Sequence, residues 1–122
     1  MAAVAKVMEA ERVIAADARA IDAEHLARMT LGERSLEREV LALFDRQADI
    51  LLPRIRQGAP AMAAASAHTL KGSAVGIGAF KVARAVEQVE RARDAEITAA
   101  VETLAAMLEE AKAEIARLLQ AA

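Results

Sequence analysis

The chain has 122 residues, of which 56% are hydrophobic and 28% charged, with a formal net charge of -2. That length suits one domain with a core of its own, while a slightly acidic chain with two Phe and no Trp or Tyr lacks both the basic patch and the stacking platform that nucleic acids require. The absence of Cys excludes disulfides, thiolate metal sites and cysteine nucleophiles.

The same totals point to an all-α fold. Low aromatic content with abundant Ala, Leu, Val and Ile favours closely packed helices over a β-sandwich, and five Gly with two Pro leave little material for turns. No run of 18 apolar residues occurs, and Lys6, Glu9, Glu11 and Arg12 interrupt the first stretch. Neither a membrane span nor a signal peptide is expected, and a soluble cytoplasmic protein is the default.

Residues 2–18 carry Val4, Val7, Met8 and Ile14 between charges, the pattern of a weakly amphipathic helix. Residues 1–20 are accordingly expected to form a helical extension to a bundle spanning 21–122. Asp22 suits the N-cap of a short helix from Ala23 to Met29 with Leu26 and Met29 turned inward. Thr30-Leu31-Gly32-Glu33 has the spacing of a capping box that would open the next helix. That helix, from about Glu33 to Arg56, places Leu36, Val40, Leu43, Phe44, Gln47, Ile50 and Leu51 on one face. Pro53 should kink or end it near Leu52, because proline lacks an N–H and crowds the carbonyl four residues back.

Gly58 is a helix stop, and Pro60 suits the first turn of a helix running to Val75. Within it Ala63, Ala67, Leu70 and Ala74 form a stripe fit for burial. Gly76 and Gly78 mark a break; without a preceding strand or a Gly-Lys-Ser/Thr ending they do not make a nucleotide loop. Ala79 to Arg93 should be helical with Phe80, Ala83, Val86 and Val89 inward, and Asp94 should cap a last helix from Ala95 to Leu119. The apolar positions of that helix, Ile97, Val101, Leu104, Leu108, Ala111, Ile115 and Leu118, recur in steps of 4 and 3, the seam of a bundle. The expected architecture is an antiparallel four-helix bundle with additional N-terminal helical material.

Chemistry concentrates in Ala67-His68-Thr69-Leu70-Lys71-Gly72-Ser73-Ala74. On a helix, Ala64, Ala65, Lys71, Gly72 and Val75 surround His68, while Leu70 lies on the stripe that faces inward. A solvated imidazole is largely unprotonated at neutral pH, so a ring nitrogen can act as a nucleophile without a buried base. Lys71 could reach the oxygens of a phosphoryl group carried on the ring. Gly72 costs about 1 kcal/mol relative to Ala inside a helix, which fits a position where a side chain would obstruct an approaching protein. Taken singly, each residue has a plainer reading, a surface histidine, a solvated lysine and a packing glycine. His25 has no Lys-Gly after it and is assigned no role.

Together, His68-Thr69-Leu70-Lys71-Gly72-Ser73-Ala74 followed by Gly78-Ala79 resembles the phosphorylation signature of the histidine-containing phosphotransfer (HPt) domains of bacterial phosphorelays. The resemblance extends over about Ile21 to Leu119. It implies that His68 is phosphorylated, that Lys71 is the cation near the phosphoryl group, and that Gly72 admits the partner. It also implies the partners, response-regulator receiver domains including that of a hybrid histidine kinase, whose phosphorylated Asp with its Mg²⁺ would hand the group in line to His68. No cofactor, metal, nucleic acid or membrane is expected, and the chain shows no kinase glycine loop or Walker Lys, so it would be a shuttle rather than an enzyme. A passive scaffold or dimerisation bundle is the alternative, but it gives no reason for His68, Lys71 and Gly72 together. A hydrolytic or metal enzyme lacks a Glu-x-x-His or His-Glu-x-x-His pair and a serine motif. In a histidine-kinase dimerisation helix an acidic residue commonly follows the histidine, whereas Thr69 follows here.

Overall fold

The computed structural model describes residues 19–121, so the helix expected at residues 2–18 lies outside the described residues. The elements are α1 (Ala23–Met29), α2 (Arg34–Gln57), α3 (Pro60–Ile77), α4 (Phe80–Arg91) and α5 (Glu96–Gln120). Around the bundle α2 packs on α3 and α5, and α4 on the same two helices, while α1 lies across α3. Connections as short as 58–59 and 78–79 force successive helices to run antiparallel. Among the described residues no helix is long and apolar enough to cross a membrane.

The core is aliphatic apart from one aromatic ring. Leu70, Leu104, Leu108, Ile115, Val82 and Val86 close around Phe44 with almost no exposed surface. Small residues let the axes approach. Ala67 and Ala74 on α3, Ala83 and Ala85 on α4 and Ala111 on α5 are all buried. On α5 the expected seam holds from Val101 to Ile115, whereas Ile97 at its start is 43% exposed.

The inward face of α2 is rotated from the one expected. Leu41, Phe44, Ala48, Leu51 and Ile55 are buried, whereas Leu43 and Ile50 are 47% and 53% exposed. Two apolar stripes overlap on this helix and share Phe44 and Leu51. The second, through Leu36, Val40, Leu43 and Gln47, forms a wall of an open apolar groove of about 270 Å³ whose far side includes Met29, Ser73 and Gly76. Met29 at 57% exposure is therefore on the groove rather than in the core, contrary to expectation.

Pro53 does not end α2, which continues to Gln57 with Gly58 as its C-cap. Pro53 lies on the exposed side, where water can hydrate the carbonyl it leaves unpaired, and burial of Leu51 and Ile55 on the other side holds the helix together. The capping box at Thr30 does not form either. Thr30 closes α1, its hydroxyl donating to the Leu26 carbonyl at 2.8 Å, and Glu33 caps α2 without a side-chain hydrogen bond. The intervening Leu31 and Gly32 adopt φ of 55° and 70°, a tight reversal that separates the two halves of the box. Asp94 behaves similarly. It takes φ 52° and only its backbone carbonyl receives Ile97 N–H, so Ala95, not Asp94, is the N-cap of α5.

The remaining expected cap is present. The Asp22 carboxylate accepts from the N–H groups of Glu24 and His25 at 3.1 and 3.2 Å, opening α1.

Candidate functional site

Helix α3 carries the candidate residues because it is amphipathic in an unusual sense. Its buried side is Ser66, Ala67, Leu70, Ala74 and Ile77, and its opposite side is not charged but small. Pro60 starts it at the first helical position, where a missing N–H costs nothing. It ends two residues later than Val75, because Gly76 is tolerated as a helical residue and Gly78 takes the left-handed conformation. Gly78 N–H donates to the Val75 carbonyl at 3.2 Å and Ala79 N–H to the Ala74 carbonyl at 2.8 Å, the paired bonds of a Schellman stop.

His68 stands on the side of α3 opposite Leu70 and is exposed, and among the described residues its ring has no hydrogen-bond or ion-pair partner. Ala64, Ala65, Gly72 and Val75, the positions expected to share its face, are all exposed as well. A Cβ built on Gly72 would meet nothing within 4 Å. Gly72 is therefore not a packing glycine, and its absent side chain leaves open space one turn beyond His68. The resulting face is shallow and nearly free of side-chain obstruction around a solvent-facing imidazole.

Lys71 takes part in an ion pair between helices. Its Nζ lies 3.2 Å from Oε1 of Glu87 on α4, and the two side chains are 36% and 37% exposed. The other Glu87 oxygen is 3.9 Å from an Arg91 guanidinium nitrogen one turn along. The cation one turn beyond His68 on α3 is thus paired with an anion of α4. Sequence reading missed Glu87, since the Glu87/Arg91 spacing is visible on α4 but the register that sets Glu87 against Lys71 is tertiary.

The second histidine has a different setting. His25 on α1 packs edge-on against Phe80, with ring centroids 5.0 Å apart and planes at 68°. Its Nε2 is buried and has no hydrogen-bond partner among the described residues, so that nitrogen is not presented to another protein. Of the two imidazoles, only that of His68 is presented outward with open space beside it. Among the described residues no group of His, Asp and Glu is arranged to hold a metal ion.

The Hpt domain family matches residues 35–121, from the first turn of α2 to the end of α5, which takes in His68, Lys71, Gly72 and Glu87 and leaves α1 outside. No curated protein and no solved structure matches the chain. Hpt domains act in phosphotransfer within phosphorelays and interact with response-regulator receiver domains. With most of its length matched and its helices packed as a bundle, this chain belongs to the Hpt domain family.

Proposed function

We propose that His68 accepts a phosphoryl group from the phosphorylated aspartate of one receiver domain and passes it to the aspartate of another, the first belonging to a hybrid histidine kinase. An unprotonated ring nitrogen attacks phosphorus in line; the N–P bond forms as the acyl P–O bond breaks, and the aspartate leaves as a carboxylate. Positioning is most of what such a transfer needs, because the transition state has little covalent demand. Ala64, Ala65, Gly72 and Val75 supply a low surface on which a receiver can seat its aspartate against the ring. Lys71 supplies positive charge for the phosphoryl oxygens.

The observation that carries this reading is the pairing of an exposed His68, without a partner among the described residues, with the open space at Gly72, in a chain of this family. A passive bundle would leave both features without a use. The experiment is transfer from a receiver domain charged with acetyl phosphate, followed by quench and separation of the two proteins. Label should move to this chain and return to a second, uncharged receiver. A chain that takes no label from any of a panel of charged receivers would leave the scaffold reading in its place.

A further inference from the structure

We infer that Glu87 is a positioning residue that competes with the phosphoryl group for Lys71 and so tunes how firmly that group is kept on His68. The inference rests on the reading of His68 as the phosphoryl acceptor. It goes beyond that reading by assigning a role to an acidic residue that the phosphoryl group itself should repel.

An anion beside a site for a group of roughly -1.5 to -2 charge is unfavourable unless it does something else. Glu87 acts on Lys71 in this geometry. It draws the Lys71 ammonium to 3.2 Å from its own oxygen. It thereby neutralises part of the charge Lys71 can offer to phosphate. Arg91, at 3.9 Å and 82% exposed, is too loosely held to replace Lys71 as the partner of Glu87.

The consequence is a carrier whose cation is available but already engaged. A cation on the phosphoryl oxygens favours the charged form of His68, and a fully free Lys71 would hold the group there more firmly. With Glu87 competing for Lys71, the phosphoryl group is held less firmly and is easier to hand on. A carrier placed between two donors and acceptors gains from such a balance, since a group bound too tightly would stop on His68.

The test charges the purified chain with potassium phosphoramidate, in which the new N–P bond to His68 forms as the P–N bond of the reagent breaks and ammonia leaves. The charged fraction at steady state and the half-life of phosphohistidine after removal of reagent are measured for wild type, Glu87→Gln, Lys71→Ala and the double variant. Glu87→Gln should raise the charged fraction and lengthen the half-life by about two- to fourfold, the size expected for one solvent-screened charge. In the Lys71→Ala background the same substitution should have less than half of that effect on a logarithmic scale. A Glu87→Gln half-life equal to wild type overturns the inference, and so does an effect that survives in full without Lys71, which would be direct repulsion. Thermal unfolding of the same four proteins should agree to within a few degrees, as for other exposed pairs. Failure of the underlying reading looks different, because then His68→Gln would charge as well as wild type.

Discussion

Asp22 and Gly78 meet backbone to backbone: the Asp22 N–H donates to the Gly78 carbonyl at 2.9 Å, and a Cβ on Gly78 would stand 2.8 Å from the Asp22 carbonyl oxygen. This contact fastens the start of α1 to the end of the helix that carries His68. Gly78 also holds φ at 80°, which an L side chain rarely adopts. Gly78→Ala should therefore cost about 2 to 4 kcal/mol, from strain and from displacement of Asp22. Gly76→Ala is the control, since a Cβ there meets nothing within 4 Å and Gly76 is helical. It should be neutral or stabilise by up to about 1 kcal/mol. Urea midpoints of the two variants decide the matter, and equal values would show that the contact has no structural weight.

Gly72 separates access from stability. Gly72→Glu introduces a better helix former into open space, so the thermal midpoint should hold or rise, with about 0.5 to 1 kcal/mol of added stability. Transfer from a charged receiver should fall at least tenfold, through bulk at the docking face and repulsion of phosphate. A stable variant that transfers at the wild-type rate would remove Gly72 from the site.

Lys71 should act on the phosphoryl group more than on the fold. Loss of an exposed pair with Glu87 changes stability by no more than about 0.5 kcal/mol. Lys71→Ala should keep its thermal midpoint, accept less phosphate, and show a weaker dependence on ionic strength than wild type. Transfer kinetics at low and high salt test this, and rates equal to wild type at both would make Lys71 a solubilising charge only.

A pH effect is expected at Lys112, which joins α5 to α2. Burial draws its pKa down, but hydrogen bonds to Asp49 and Asp45 and the charges of both outweigh that, leaving it above its ordinary value. The ammonium lies 2.6 Å from Asp49 and 3.0 Å from Asp45. Because the folded pKa is raised, the contribution is whole below the unfolded value of about 10.4 and fades as pH climbs through the folded one. Lys112→Met should be less stable than wild type by about 0.5 to 1 kcal/mol at pH 8, and the gap should narrow at a strongly alkaline pH as the folded ammonium loses its proton. Urea midpoints at the two pH values check the sign, and a gap that widens in alkali would reverse it.

Much of this was legible because helices state their period in sequence. The buried stripe of α3 through Ala67, Leu70 and Ala74 and the α5 seam through Val101, Leu104, Leu108, Ala111 and Ile115 needed only spacing. On α2 the same rule misled, because two stripes share Phe44 and Leu51 and only packing chooses between them. Local capping signals failed where the chain reverses tightly, at Leu31 and Asp94, both with positive φ that no side-chain pattern announced. At the site, His68, Lys71 and Gly72 stood out as a motif. Glu87 did not, because its partner lies on another helix and the crossing register is not written in either helix alone.

The most direct test of the account is the position of the phosphoryl group. Wild type, His68→Gln and His25→Gln are each incubated with a charged receiver, and the product is tested for acid lability, alkali stability and location by peptide mapping under alkaline conditions. Wild type and His25→Gln should carry an acid-labile, alkali-stable adduct on the peptide containing His68, and His68→Gln should carry none. Label that persists in His68→Gln and disappears in His25→Gln would contradict the account.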